Sequence, residues 1–293
     1  MVATLLSRPF YACPFYACGV EVCDFLSWQS TLVRGDKHRE EIEMDEIGYS
    51  VEGHIASVRL LRPEKLNAMT DEMYHAIGDA FKEADSDPQV RCVVLSGSGR
   101  AFSSGHDLLE FGERQAWKPW SGERFDNGLE TAKPVIAAIN GYCLAGGLEL
   151  ALYCDIRICD TTAQFGSPEP RWGILHGYGA LRTPGLIGSS DAMRLLLTGE
   201  FLDAAEALRI GLVSKVVEPS ELLDAANEMA EKVAVNSPLA IRLTKELARR
   251  GPDMSLPDGL RLYQEYQRLA FSSDDAREGT RAFAERRDPE YQG

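Results

Sequence analysis

The spacing of apolar and polar positions predicts an alternation of strands and helices from about residue 42 onward. Apolar residues at 55–61 predict a strand that ends at an Arg-Pro pair. Thr70 is a good N-cap for the helix that follows. The apolar stripe of that helix consists of Met73, Ala76, Ile77, Ala80, Phe81 and Ala84. A buried-type strand at 92–95 comes next, and strand, helix and strand in this order predict parallel pairing through a crossover helix.

The pattern changes within one stretch, PVIAAINGYCLAGGLELALYCD at 134–155. An apolar run at 135–139 has the length of a strand, and the Asn-Gly pair after it indicates a turn. Two glycines at 146–147 precede a helix-like run at 148–154. The chain therefore leaves a buried strand, turns on glycine and enters a helix.

The remaining elements are shorter or less regular. Strands are predicted at 156–158, 163–165 and 213–217. Helices are predicted after a cap at Ser189 or Ser190, at 204–210, and from residue 220, from Ser237-Pro238, from about 256 and from about 274. The segment 107–133 is ambiguous, and we interpret it as a helix followed by a mobile flap. We expect an α/β core at 42–235 and a helical C-terminal region at 236–293.

Residues 1–41 show no sustained periodicity, and the run PFYAC at 9–13 is repeated at 14–18. Glu21 and Asp24 disfavour a transit peptide, which would be poor in acidic residues. The cysteines of this region have a spacing that fits no common zinc pattern, so no metal site is predicted. We expect 1–41 to be a disordered leader or the product of an upstream start codon.

Composition narrows the classes of function. The net charge of −14 over 293 residues argues against sequence-independent binding of nucleic acid. Apolar runs stay below the ~20 residues that a membrane span needs. Seven cysteines without a C-x-x-C pair, four of them in apolar contexts, predict free thiols in a reducing, cytoplasmic setting.

Three features are candidates for chemistry, and each has an ordinary structural alternative. Glu149 follows the glycines at a predicted helix start, where unpaired N–H groups and the helix dipole favour negative charge. Such a glutamate usually just complements the dipole. Glu169 lies in a Gly-Ser-Pro-Glu turn and is by default an exposed turn residue. The loop RAFSSGHDL at 100–108 follows a buried strand and is by itself an ordinary connection. The sequence lacks HExxH, GxSxG and complete phosphate-binding glycine motifs, which leaves zinc enzymes and serine hydrolases unsupported.

Together these pieces resemble the enoyl-CoA hydratase/isomerase (crotonase) superfamily from about residue 42 to the end. The motifs that carry the resemblance are RPxKxNA at 62–68, AFSSGHDL at 101–108, NGY at 140–142 with GGLELA at 146–151 and CD at 154–155, FGSPE at 165–169, and the tail at 278–286. In this order and spacing they are specific for the superfamily and less specific for the reaction. The implied fold is an α/β spiral of ββα turns with a helical C-terminal region that packs in trimers, often doubled to hexamers.

The resemblance also implies a site. The thioester carbonyl of an acyl-CoA would lie between the backbone N–H groups of His106 and Gly146. Glu149 would activate water, and Glu169 would deliver a proton to C2. The other substrate or CoA contacts implied are Lys65, Ala68, Ser104, Gly105, Asp107, Leu108 and Gly177. The acyl chain would point toward residues 108–133. The candidates to neutralise the negative charge of CoA are Arg62, Lys65 and the C-terminal arginines. No cofactor beyond the CoA of the substrate is implied.

We therefore predict an enoyl-CoA hydratase acting on 2-enoyl-CoA thioesters. Two alternatives stay open at this point. One is an enoyl-CoA isomerase or another enolate-forming acyl-CoA lyase, and the other is a non-catalytic acyl-CoA-binding protein. One departure bears on the efficiency of hydration: His176 stands where hydratases tend to show proline.

Overall fold

The strands of the protein form two sheets. The computed structural model describes residues 42–44, 46–113, 124–125 and 129–293, with backbone only at 42–44 and 111–113. The predicted leader at 1–41 lies outside the described residues, and so do residues 114–123 and 126–128 of the segment 107–133, which was predicted as a helix and a flap. The strands of the described part are β1 (Ile42–Met44), β2 (Ile47–Glu52), β3 (Ile55–Leu60), β4 (Cys92–Gly97), β5 (Ala101–Ser103), β6 (Val135–Ile139), β7 (Tyr142–Leu144), β8 (Ile156–Asp160), β9 (Gln164–Gly166), β10 (Phe201–Asp203) and β11 (Lys215–Val217). The larger sheet has seven of these strands in the order β1-β2-β3-β4-β6-β8-β11, and the smaller has four in the order β10-β9-β7-β5.

Helices connect these strands and form the C-terminal region. They are α1 (Asp71–Ser86), α2 (Leu108–Glu113), α3 (Gly146–Tyr153), α4 (Tyr178–Leu186), α5 (Ser189–Thr198), α6 (Ala204–Arg209), α7 (Leu222–Ala234), α8 (Pro238–Arg250), α9 (Leu256–Ser272) and α10 (Asp274–Glu285). In the described part of the chain, no helix combines the length and the apolar character needed to cross a membrane.

The first strand-helix-strand unit forms as the pattern predicts. The Thr70 hydroxyl accepts a hydrogen bond from the Met73 N–H at 3.2 Å, and all six predicted stripe positions of α1 are buried. β3 pairs in parallel with β4, and β4, β6, β8 and β11 continue the parallel arrangement. The interior strand β6 is buried along its whole length, as its uninterrupted apolar run predicts.

Other local predictions were incomplete or wrong. Three-residue strands β5 and β7 occupy stretches predicted as loop and turn, because three residues are too few to show a period. Helix α4 was not predicted at all. The cap of α5 is Gly188 rather than Ser189 or Ser190.

The C-terminal region packs on the core through α8. Ser237 caps this helix by accepting a hydrogen bond from the Ala240 N–H, as predicted. Helix α9 buries none of its residues within the single chain, and large apolar side chains stay exposed on both α9 and α10. The boundary between residues 235 and 236 stays a prediction.

Candidate active site

Two loops meet at the edge of the smaller sheet. β5 and β7 pair in parallel, so the segments that follow them leave the sheet at the same end. A Cβ built on Gly105 would lie 3.0 Å from the backbone N of Gly146, and one built on Gly146 would lie 3.5 Å from the backbone N of His106. The main chain of the first loop thus touches the start of α3, and the amides of His106 and Gly146 lie close together.

The turn into α3 has a strained backbone conformation. Ala145, the N-cap, has φ +49° and ψ −125°, a conformation costly for any residue with a side chain. A Cβ on Gly147 would collide with the carbonyl oxygen of Ser103, so glycine is required there. The N–H of Gly146 belongs to the first turn and has no acceptor within the helix. This geometry offers a backbone donor to a ligand oxygen.

A buried polar cluster lies behind these amides. The hydroxyl of Tyr74 lies 2.8 Å from Nδ1 of His106, and the two rings are stacked with centroids 4.4 Å apart. The guanidinium of Arg124 covers the Tyr74 ring at 3.9 Å and lies 3.3 Å from a carboxylate oxygen of Asp71. Sequence reasoning missed Tyr74 and Arg124, because neither belongs to a recognisable motif.

Glu149 lies one turn after Gly146, on the same face of α3, and is buried. Its Oε1 accepts hydrogen bonds from the backbone N–H groups of Gly177 at 3.0 Å and Gly179 at 2.8 Å. These amides begin α4, whose dipole also favours an anion at this end. The arrangement therefore stabilises the carboxylate form of Glu149. Gly177, predicted to contact CoA, lies beside this glutamate.

Glu169 faces a histidine from the same loop. Oε2 of Glu169 lies 3.1 Å from Nδ1 of His176, and the two side chains are 12% and 9% exposed. The other ring nitrogen of His176 lies 2.8 Å from the carbonyl oxygen of Leu196. Glu169 is thus not the exposed turn residue that its local sequence indicates. The loop at 176–179 contacts both candidate acids.

The predicted CoA-binding loops are joined by their main chains. Backbone hydrogen bonds run from Met69 N–H to Gly105 C=O at 2.7 Å and from Ser104 N–H to Leu66 C=O at 2.9 Å. Lys65 is exposed beside this junction, Ala68 is partly buried, and Leu108 is half exposed.

The cationic residues that are candidates to bind CoA differ in whether they already form ion pairs within the chain. Arg62 donates to Asp107 Oδ2 at 2.8 Å and lies 3.4 Å from a carboxylate oxygen of Glu46, so it is engaged within the fold. Its guanidinium holds the pKa of Asp107 below the ordinary value for aspartate. The C-terminal Arg281 and Arg287 pair with Glu278. These contacts leave Lys65 as the more accessible candidate.

Four cysteines are described, at 92, 143, 154 and 159, and all are buried free thiols, as predicted. Burial raises the pKa of Cys92, Cys154 and Cys159 to about 12 and that of Cys143 well above its ordinary value. A thiolate nucleophile is thereby disfavoured at these positions. The described residues contain no group of three or more His, Cys, Asp and Glu side chains arranged to hold a metal ion.

Two main-chain amides that lie close together, near the buried Glu149 and the partly buried Glu169, are an arrangement typical of enzymes whose substrate develops negative charge on oxygen. The comparisons agree with this class. The family model for enoyl-CoA hydratase/isomerase matches residues 50–293, and the chain belongs to that family. This confirms the predicted superfamily, the α/β crotonase fold with its helical C-terminal region, and a hydratase-like enzyme.

Relatives align over nearly their whole length. The (E)-benzylidenesuccinyl-CoA hydratase of Thauera aromatica is 40% identical over 249 residues, covering 83% of this chain and 97% of the relative. The short-chain-enoyl-CoA hydratase of Clostridium acetobutylicum is 38% identical over 253 residues, covering 84% and 97%. The crystal structure of enoyl-CoA hydratase from Mycobacterium tuberculosis H37Rv superposes with a TM-score of 0.80 at 35% identity, covering 84% of this chain and 98% of that one.

Proposed function

We propose that the protein hydrates 2-enoyl-CoA thioesters, adding water across the 2,3 double bond. The proposal is carried by the buried Glu149 and the partly buried Glu169, both of which contact residues of the segment 176–179. Hydration needs a base for water and an acid for carbon, and a single acidic group would serve isomerisation equally well.

The thioester oxygen binds between the N–H groups of His106 and Gly146. As water attacks C3, electrons move through the double bond onto this oxygen, and the two donors stabilise the enolate. Losing one such donor typically costs ~100- to 1,000-fold in rate. The position of Gly146 is sensitive, because a Cβ there would collide with the Tyr74 hydroxyl.

The two glutamates move the protons. Glu149 takes a proton from water as the C3–O bond forms, and its amide partners keep it anionic before that step. Glu169 gives a proton to C2 as the enolate collapses. One O–H bond of water and the π bond between C2 and C3 are broken, and one C–O and one C–H bond are formed. The two acids return to their starting states when one proton passes from Glu149 back to Glu169 through solvent.

The remaining site assignments follow the family motifs. The substrate contacts are Lys65, Ala68, Ser104, Gly105, Asp107, Leu108 and Gly177, of which Asp107 acts through its pair with Arg62 and Gly177 through Glu149. The acyl chain points toward 108–133. CoA enters as part of the substrate, and the chemistry described needs no further cofactor.

The protein works as a homotrimer or homohexamer in the cytoplasm, without a nucleic-acid or membrane partner. Helix α9 supports the assembly, because it buries no residue within one chain while Leu256 and Phe271 are 76% and 72% exposed. Light scattering of the purified chain tests this, and a monomer at micromolar concentration would contradict it.

Activity is tested with purified protein on crotonyl-CoA and longer 2-enoyl-CoAs. Wild type is expected to hydrate at least one chain length, and Glu149→Gln and Glu169→Gln are each expected to lower the rate by ~100- to 10,000-fold. Double-bond migration that needs only one glutamate would favour an isomerase. CoA binding without turnover would favour a non-catalytic role.

A further inference from the structure

We infer that His176 shares a proton with Glu169 and is a positioning residue that supplies this glutamate with the proton it delivers; the inference rests on the proposed function and deepens it. The hydrogen-bond partner of Nε2 determines the tautomer of His176. Nε2 of His176 lies 2.8 Å from the carbonyl oxygen of Leu196, and a carbonyl oxygen only accepts hydrogen bonds. Nε2 therefore carries a hydrogen, and in the neutral ring Nδ1 is the bare nitrogen.

That bare nitrogen would face a carboxylate. Nδ1 lies 3.1 Å from Oε2 of Glu169, and both side chains are about nine-tenths buried. A lone pair against an anionic oxygen is repulsive, and little water is present to weaken the repulsion. One proton between the two groups turns this contact into an attraction, whether it resides on nitrogen or on oxygen.

The contact has ion-pair distance without the alignment of a good hydrogen bond. Within the described residues, Oε2 of Glu169 is buried and accepts no aligned hydrogen bond. Catalytic hydrogen bonds are often poorly aligned before substrate binds and tighten in the complex.

The segment 176–179 makes different kinds of contact with the two glutamates. The amides of Gly177 and Gly179 donate to Glu149, which favours its carboxylate and suits a base. The imidazole of His176, between Leu175 and Gly177, supplies Glu169 with a proton, which suits an acid. The loop at 176–179 thereby assigns the two roles.

The proton balance is simple. Before the reaction the His176–Glu169 pair holds one proton, in addition to the hydrogen on Nε2. When Glu169 protonates C2, the pair becomes a carboxylate and a neutral imidazole. Glu149 gains one proton from water in the same turnover, and its return through solvent recharges the pair.

The first test reads the proton directly and does not require turnover. Imidazole ¹⁵N NMR of the full chain at neutral pH compares wild type with Glu169→Gln. We expect the Nδ1 resonance of His176 in wild type to be displaced toward the protonated position relative to the variant. An Nδ1 resonance of a bare nitrogen, identical in both proteins, would overturn the inference.

The second test is kinetic. His176→Gln is expected to lower kcat on the best enoyl-CoA by about 100-fold, the lower end of a general-acid contribution, with KM little changed. Added imidazole should restore part of the rate of His176→Ala. The matched control is His54→Ala, because His54 is an exposed histidine bound to the Gln89 carbonyl; it should keep full activity and show no response to imidazole.

Unchanged kcat in His176→Gln would overturn the inference even with wild type fully active. Equal loss in His176→Ala with and without imidazole, alongside identical NMR signals, would assign His176 to packing alone. Absence of hydration by wild type would defeat the proposed function, and the NMR comparison would still decide whether the proton is shared.

Discussion

The two ends of α3 carry carboxylates that the protein holds in different ways. Glu149, in the first turn, accepts two hydrogen bonds from backbone amides. Asp155, just past the last turn, receives Lys245 and Arg249 as well as the amide of Val135. Two cationic side chains of α8 thus tie Asp155 to another helix, whereas backbone amides at the start of α4 orient Glu149.

This difference separates a structural acid from a candidate catalytic one. Asp155 joins α8 to the core, and its loss should affect folding. Glu149 lies one turn after Gly146, whose amide is the proposed donor to the thioester oxygen, and its loss should affect rate. Four variants test the comparison, beginning with the largest expected effect.

Glu149→Gln should separate rate from stability. The amide oxygen of glutamine can still accept from Gly177 and Gly179, so the packing is preserved while the base is lost. The expected fall in hydration is ~100- to 10,000-fold, with an unchanged free energy of unfolding by chemical denaturation. A fall in stability that accounts for the lost activity would break the comparison.

Asp155→Asn should lower the free energy of unfolding and leave the catalytic rate unchanged. It leaves Lys245 and Arg249 without their counter-charge in a partly buried place, and burial already lowers the pKa of Lys245. Breaking such a pair typically costs ~3–5 kcal/mol in the free energy of unfolding. Folded Asp155→Asn should retain its rate per active site. The double variant with Lys245→Met should recover part of the stability, and a double variant no more stable than the single one would contradict the assignment.

Gly179→Ala should disturb Glu149 without changing any acid. A Cβ there would lie 3.2 Å from Oε1 and 3.3 Å from Cγ of Glu149, closer than an ordinary contact. Displacement of a reacting group by about an ångström can cost ~100-fold in rate. Gly185→Ala is the matched control in the same helix, because its Cβ would meet nothing within 4 Å. Equal rates for the two variants would show that the amide contacts are not critical.

Asp107→Asn should have the smallest effect and a defined pH dependence. Arg62 lowers the folded-state pKa of Asp107, so their pair stabilises the fold fully above the ordinary pKa of about 3.9. The stabilisation is lost as pH falls through the lowered value. Thermal unfolding should show a deficit of about 1 kcal/mol for the variant at pH 7. That deficit should shrink in acid, and a pH-independent deficit would point to another cause.

The sequence predicted those parts of the fold that are specified locally. Helix α1 has both a side-chain cap at Thr70 and a regular stripe, and β6 is a continuous apolar run bounded by turn residues. Each of these can be recognised within a short window.

Helix α4 could not be recognised in that way. It contains Gly179, Pro184 and Gly185, and its N-cap, Gly177, provides no side-chain acceptor. The acceptor is the carboxylate of Glu149 on another helix. The helix thus depends on the same tertiary contact that orients the candidate base.

The residues of the candidate site also differ in whether the sequence alone could predict them. The glycines, the glutamates and the two amide positions follow from motif and order. His176 was noticed only as a substitution for proline, because its partners Glu169 and Leu196 become apparent only from the folded chain.

Hydrogen–deuterium exchange at C2 of butyryl-CoA in D₂O tests the central claim most directly, because this saturated thioester cannot be hydrated. Exchange needs the enolate-stabilising amides and the group that moves the C2 proton. We predict exchange by wild type and by Glu149→Gln, and its loss in Glu169→Gln. Exchange that survives in Glu169→Gln but disappears in Glu149→Gln, or no exchange by an otherwise active wild type, would contradict the account.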